Sequence, residues 1–123
     1  MPFAALLGID FLEATPAAVT ARLAWQPSLC TSGEVLHGGA LMALADSTGA
    51  ACAVINLPEG AAGTATIESK TNFFRAVRGG HVDAVSVPLH VGRATIVVET
   101  DLHDASGKRV AKVIQTQAVL TAA

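Results

Sequence analysis

One carboxylate stands alone in the most apolar stretch of the chain. Residues 36–56, LHGGALMALADSTGAACAVIN, contain a single charged side chain, Asp46. An ionised carboxylate among apolar groups is unfavourable unless it is paired or hydrogen-bonded. In a dry pocket, however, such a group can act as a strong base or as a nucleophile. The alternatives are a helix N-cap and a structural aspartate whose hydrogen bonds are satisfied.

The same stretch opens with His37-Gly38-Gly39, at the predicted start of a helix over residues 38–56. Glycine allows a ligand to approach the backbone closely. The first N–H groups of a helix lack intrahelical partners, and together with the helix dipole they stabilise a developing oxyanion. Asp46 lies seven residues beyond Gly39, about 10 Å along the axis and on nearly the same face. This spacing is too long for an N-cap; an ordinary glycine turn remains the alternative for Gly38-Gly39.

Strand-like segments flank this helix on both sides. Residues 8–25 predict two short strands around a turn near Thr15-Pro16, and four alternating segments follow residue 63, namely TATIESKTNFFRAV, HVDAVSVPLHVG, RATIVVETDLHD and KRVAKVIQTQAVL. Because the helix lacks a polar stripe, we expect it to be enclosed on most sides. The order predicts an α+β fold over residues 1–123, a single domain in which an antiparallel β-sheet wraps around one long central helix.

Composition narrows the classes of function. Charged residues make up 15% of the chain and the formal net charge is −2, against about 25% charged residues in typical soluble domains. Low charge and open sheet edges predict self-association. Without a basic run, nucleic acid is not an expected partner. No apolar run reaches the roughly 20 residues of a membrane span, so we expect no membrane partner.

The two cysteines, Cys30 and Cys52, are expected to be small buried hydrophobic residues. With no secretory signal, they indicate a cytoplasmic location. Cysteine and histidine do not cluster with zinc-like spacing, so no metal is predicted. A G-x-S-x-G nucleophile elbow is absent from the sequence, which argues against a serine hydrolase.

Three segments of the sequence resemble a known family. HGGALMALAD resembles the signature of hotdog-fold thioesterases of the phenylacetate-pathway (PaaI) type, and the likeness continues through TIESKTNFFRAVRGG and HVGRATIVVETDLHDASGKRVAKVIQTQAV. The resemblance implies hydrolysis of acyl-CoA thioesters at a site shared between two subunits of a homodimer, or of a dimer of dimers. CoA would enter as part of the substrate, without a further cofactor.

The resemblance also implies roles for individual positions. Asp46 matches the family's general base or nucleophile, and Gly38, just after His37, matches the N–H that polarises the thioester carbonyl, while Gly39 supports the turn. Thr66 falls where a hydroxyl helps to place the water. The positions that match the CoA-contacting region of the family are Phe73, His90, Val91, Gly92, Arg93 and Thr95.

Two departures from the family pattern are visible, and two alternative functions remain. The Asn or Gln that often precedes the histidine by about six residues is replaced by Cys30-Thr31-Ser32, and the N-terminal helix is reduced to MPFAALLG. The alternatives are a non-catalytic acyl-CoA-binding hotdog module and a hotdog dehydratase or hydratase. Release of thiol from a panel of acyl-CoA substrates would separate the three.

Overall fold

The computed structural model describes residues 1–122. Its elements follow in the order α1 (Pro2–Leu7), β1 (Asp10–Ala14), β2 (Val19–Ala24), a 3₁₀ turn (Pro27–Leu29), α2 (Gly38–Ile55), β3 (Ala61–Phe73), β4 (His81–Val91), β5 (Thr95–Asp104) and β6 (Arg109–Thr121). The helix and all six strands lie where the sequence predicts them, with β3 beginning three residues earlier than TATIESK.

All six strands form one antiparallel sheet in the order β1-β2-β4-β5-β6-β3. The helix α2 lies along its concave face and contacts every strand. This architecture confirms the predicted α+β fold with one main helix. Since β3 precedes β4 in the chain but pairs with β6 at the far side of the sheet, the strand that follows the helix becomes an edge strand.

Alternation along the strands supplies the core. In β2, Val19, Ala21 and Leu23 are fully buried, as their shared parity predicts. They face α2, which contributes Leu41 and Leu44 to the same core. Burial of a leucine side chain is worth about 1.5–3 kcal/mol, so these contacts fix the helix on the sheet.

The prediction that α2 is enclosed on most sides is wrong for the single chain. Only seven of its 18 residues are buried. On the outer side Met42 is 40% exposed, Val54 is 52% exposed, and Asp46 is also exposed. The sheet covers one side of the helix, and the uncovered side is apolar as well, which is why the sequence shows no polar stripe. The helix is long and apolar enough to cross a membrane by length and composition, but its buried residues pack on the sheet.

The two edges of the sheet differ strongly. The edge strand β3 is 13 residues long and pairs with β6 along its length, with irregularities near Gly63 and Glu68. The other edge, β1, has five residues and a register shift between Phe11 and Glu13. A long exposed edge presents unpaired backbone groups to a second strand, so β3 is the edge open to partners.

Candidate active site

The carboxylate of Asp46 is held by side chains from two neighbouring strands. The Thr66 hydroxyl on β3 donates to Asp46 Oδ1 at 3.0 Å, and Gln115 Nε2 on β6 donates to the same oxygen at 3.1 Å. Within residues 1–122, the Oδ2 atom of Asp46 receives no hydrogen bond. The structure therefore brings together two of the sequence-predicted residues, Asp46 and Thr66, and leaves one carboxylate oxygen open to a ligand.

Two glutamines behind Thr66 and Asp46 were missed by the sequence analysis. Gln115 is 0% exposed and Gln117 is 1% exposed, and Gln117 Nε2 donates to Thr66 Oγ1 at 2.7 Å. The sequence contained a pattern that could have revealed them. In KVIQTQAV, both glutamines alternate in phase with the buried Val113, which places their amides on the face toward α2. Two amides on the apolar face of a strand need hydrogen-bond partners there.

A cleft of about 350 Å³ opens beside Asp46. It runs between the outer side of α2 and β3, and it is lined by Gly39, Met42, Ala43, Asp46, Thr66 and Ser69. The helix side is apolar except for the Asp46 carboxylate, and the strand side carries the hydroxyls of Thr66 and Ser69. Such a cleft suits a ligand with an apolar part and a polar reacting group.

The beginning of α2 is organised by His37. Its Nδ1 atom accepts a hydrogen bond from the Gly39 N–H at 2.7 Å, so this histidine is the N-cap of the helix. The Gly38 N–H lies at the first helical position, where no carbonyl of the helix can accept from it. It has no acceptor within residues 1–122. Of the two glycines, only Gly38 therefore keeps an N–H available to a ligand.

Phe73 packs against this helix start. A Cβ added to Gly38 would lie 3.2 Å from Phe73 Cζ, which is tighter than most real contacts. The ring is still about half exposed, at 49%. Gly38 thus accommodates the aromatic ring at close range, and Phe73 forms one wall beside the free N–H.

One chain does not bring Gly38 and Asp46 to the same reacting atom. They are separated by eight residues of α2, which corresponds to about 12 Å along the axis. On β3, the Phe73 ring lies beside Gly38 and the Thr66 hydroxyl donates to Asp46, and these two strand residues are seven positions apart. An N–H and a base that act on one carbonyl must both lie within a few ångström of it.

The other positions assigned to CoA lie in and beside the turn between β4 and β5. The Gly92 N–H donates to the Thr95 carbonyl at 2.9 Å, and an added Cβ on Gly92 would lie 2.7 Å from His90 Nε2. Arg93 is exposed and borders a cavity of about 300 Å³ that also touches Glu59 and Ala61. Val91 is 48% exposed.

This turn and Phe73 lie at opposite ends of the sheet within one chain. Thr95 pairs with Ala118, which pairs with Ala65 near the beginning of β3, whereas Phe73 ends β3 opposite Ala111. The structure of the single chain therefore separates the residues that the resemblance assigned to one CoA arm.

The cysteines lie away from the carboxylate. Cys52 is buried, as predicted, whereas Cys30 is half-buried and its thiol donates to the Gln26 carbonyl at 3.2 Å. Desolvation raises the pKa of both thiols, which disfavours the reactive thiolate. Cys30 lines a second cavity of about 230 Å³ together with Phe3 and Leu7 of α1. The N-terminal helix α1 therefore lies beside α2 at this cavity.

Comparison with known proteins agrees with this geometry. The family model of the thioesterase superfamily matches residues 33–111. The proofreading thioesterase EntH of Cronobacter sakazakii is 36% identical over 103 residues, which cover 84% of this chain and 69% of that protein. Rv1847 of Mycobacterium tuberculosis strain H37Rv is 32% identical over 116 residues, covering 88% of this chain and 83% of the relative.

Solved structures share the architecture. The structure of Rv1847/MT1895 from M. tuberculosis superimposes with a TM-score of 0.95 at 28% identity, covering 100% of this chain and 99% of that one. The E. coli PaaI protein from the phenylacetic acid degradation operon gives a TM-score of 0.89 at 21% identity, covering 98% and 85%, a likeness of fold. With a family match over more than half of its length and a helix-on-sheet architecture of this kind, the chain belongs to the thioesterase superfamily and has the hotdog fold.

Proposed function

We propose that this chain hydrolyses acyl-CoA thioesters to the free acid and CoA. Membership of the thioesterase superfamily supports a thioester hydrolase. The observation that carries the finer proposal is Asp46. Its Oδ1 atom accepts hydrogen bonds from Thr66 and Gln115, its Oδ2 atom accepts none within residues 1–122, and the residue lines an open cleft beside Met42 and Ala43.

The reaction needs only water and groups of the protein. With Asp46 as general base, Oδ2 takes a proton from water while the water oxygen bonds to the thioester carbon. The carbonyl electrons move onto oxygen, and they return as the C–S bond breaks. The proton held by Asp46 then goes to the departing sulfur, so that the products are an acid and a thiol. With Asp46 as nucleophile, Oδ2 bonds to the thioester carbon and the C–S bond breaks, which leaves a mixed anhydride and a thiolate. Water then cleaves the anhydride to the free acid and the Asp46 carboxylate, and the proton that this step releases goes to the thiolate.

The oxyanion donor in this proposal is the Gly38 N–H of a second copy of the chain. If two β3 edges pair antiparallel about a two-fold axis between Ser69 and Lys70, Phe73 of one copy stands opposite Thr66 of the other. Within each copy, the Phe73 ring lies beside Gly38 and the Thr66 hydroxyl donates to Asp46. One symmetric contact would therefore form two sites, and each would contain the free Gly38 N–H of one copy and the Asp46 carboxylate of the other.

The same pairing supports the CoA assignment. A two-fold axis reverses the direction of β3, so the Phe73 end of one copy lies beside the Ala65 end of the other. The turn with Arg93 belongs to that end. An arginine side chain in this place can contact a phosphate of CoA, while the acyl group occupies the cleft beside Met42 and Ala43.

The test is thiol release from a panel of acetyl-, medium-chain and arylacetyl-CoA substrates, with native protein and the Asp46→Asn variant. We expect cleavage by the native protein and a loss of kcat on the order of a hundredfold or more in the variant. The variant should fold and still bind substrate, because it keeps the size of the side chain. Asp101→Asn, a change of a strand carboxylate outside the cleft, is the matched control.

Each alternative has its own signature in this assay. Acyl-CoA binding without thiol release would indicate a binding module. Addition of water to an enoyl-CoA, or its loss from a 3-hydroxyacyl-CoA, with the thioester intact would indicate a hydratase or dehydratase, so both substrates are added to the panel. Near-native cleavage by a folded Asp46→Asn protein would make Asp46 structural and the mechanism wrong. In single turnover in ¹⁸O-labelled water, label in Asp46 identifies the nucleophilic mechanism, because a general base exchanges only a proton and never an oxygen.

A further inference from the structure

We infer that Gln115 is a positioning residue, which aims Asp46 by occupying one of its two carboxylate oxygens. This inference rests on the proposed function, since it concerns how Asp46 is presented to substrate. Gln115 does not line the cleft and is 0% exposed. It therefore acts through Asp46 and not by touching substrate.

The two donors on Asp46 both select the same oxygen. Thr66 Oγ1 and Gln115 Nε2 lie 3.0 and 3.1 Å from Oδ1. A carboxylate oxygen that accepts two hydrogen bonds from two strands is restrained against rotation about the Cβ–Cγ bond. The other oxygen, Oδ2, is thereby directed away from the sheet and is left for the reaction.

Thr66 is itself held in place from behind. Its hydroxyl has one proton, which it donates to Asp46, and it accepts from the buried Gln117 Nε2 at 2.7 Å. The Gln117 amide thus fixes which way the Thr66 proton points. Both glutamines reach the carboxylate from β6, one directly and one through Thr66, so a strand paired on both sides orients a group on an exposed helix face.

The helix is shaped to admit the Gln115 side chain. A Cβ on Gly49 would lie 2.2 Å from Gln115 Oε1 and 2.6 Å from its Cδ, distances that no real contact allows. Glycine in a helix interior is less favourable than alanine, and Gly49 lies inside α2 with no turn or positive φ to explain it. Its role is to provide the space in which the carboxamide reaches Asp46.

The surroundings of the Gln115 Oε1 atom indicate that this side chain does more than stabilise the fold. It is buried and has no hydrogen-bond partner within residues 1–122. A buried unpaired acceptor is unfavourable, and an apolar side chain of similar volume would avoid it. The amide is therefore explained by its donor, which is directed at Asp46.

The experiment is a double-mutant cycle with Gln115→Met and Asp46→Asn, read by single-turnover cleavage of the best acyl-CoA substrate. Methionine keeps the volume and removes the donor. In the native background we expect kcat to fall on the order of 10–100-fold, because a small misplacement of a reacting group has effects of this size. KM should change little. In the Asp46→Asn background the same replacement should have no further effect.

The matched control is Thr100→Val on the neighbouring strand β5. Thr100 is also fully buried, and its hydroxyl bonds to Ser86 at 2.6 Å, away from the cleft. This variant should lower Tm and leave kcat unchanged. If Gln115→Met does not fold, Gly49→Ala tests the same contact, because its methyl group must displace the carboxamide while every polar group remains, and kcat should again fall.

The outcomes separate the two proposals. A native kcat in folded Gln115→Met, or in Gly49→Ala when that variant must stand in, overturns the positioning role. An equal loss in both Asp46 backgrounds overturns it too, since the effect would then be general. If Asp46→Asn itself cleaves at a near-native rate, the failure is that of the proposed function.

Discussion

Two inactive variants should restore activity to each other if the site is built from two copies of the chain. The first variant is Asp46→Asn, which removes the proposed base. The second is Gly38→Pro, which removes the proposed oxyanion donor, and proline is tolerated at the first position of a helix. Each alone should reduce kcat about a hundredfold or more.

The magnitude of the recovery follows from the geometry. Gly38 and Asp46 are separated by eight residues of α2, about 12 Å along the axis, and in the proposed site Gly38 of one copy therefore acts with Asp46 of the other. In a heterodimer of the two variants, one site then contains both changes and the other contains neither. Random pairing makes half of the dimers mixed, so the mixture should recover about 25% of native kcat, and purified heterodimers about 50%.

The assay is thiol release after co-expression of the variants with two different affinity tags, followed by sequential purification of the mixed dimer. Gly38→Ala is the matched control for the proline variant. Its Cβ meets Phe73 at the same 3.2 Å, but its N–H remains. It should therefore keep most of the activity that Gly38→Pro loses, which separates a lost donor from a displaced ring.

A heterodimer as inactive as its parents would refute the reasoning, because a site within one chain contains one damaged group in every subunit. Recovery above about 50% is equally incompatible with one intact site in two. A monomer in sedimentation at micromolar concentration that is nevertheless active would also contradict the shared site.

Three further outcomes are expected. Leu44→Ala empties a fully buried position under α2 and should lower the free energy of unfolding by about 2–5 kcal/mol in denaturant titration. Arg93→Ala should raise KM for acyl-CoA several-fold with kcat unchanged, and an unchanged KM would remove Arg93 from the CoA site. The Arg22 guanidinium, bonded to Asp83 at 2.7 and 3.1 Å, lowers the pKa of that carboxyl. A carboxyl group whose pKa is lowered by folding stabilises the fold at pH values above its ordinary pKa. The native protein should therefore have a higher Tm than Asp83→Asn at neutral pH, and the difference should shrink as the pH falls below about 4.

The strands and the helix could be predicted because each of their signals is local. Val19, Ala21 and Leu23 alternate with exposed residues along one strand, and α2 ends at Ile55, shortly before the Pro and Gly of LPEGAAG. Asp46 could be singled out for the same reason, as the one charge in an apolar segment. Local patterns indicate which residues share a face. They are therefore sufficient to predict the helices and strands and to predict which of their residues are buried against the sheet.

The missed features depend on contacts between distant segments. Gln115 and Asp46 are 69 residues apart in the sequence, and their pairing requires the order in which β6 and β3 enter the sheet. The exposure of α2 had a different cause. A helix whose outer face is apolar has no polar stripe, whether or not the rest of the chain covers that face. Composition alone could therefore not reveal which side of the helix would be open.

The inequality of the two sheet edges has a consequence for how far association can proceed. A sheet with two equally receptive edges can add copies indefinitely, as fibrils do. Here β3 offers 13 residues and β1 only five, with a register shift. Two copies that meet along β3 use up the receptive edge of both and leave a short, irregular strand at each end. Association through β3 would therefore end at a pair of copies, and the short, irregular β1 edges would not support linear polymerisation.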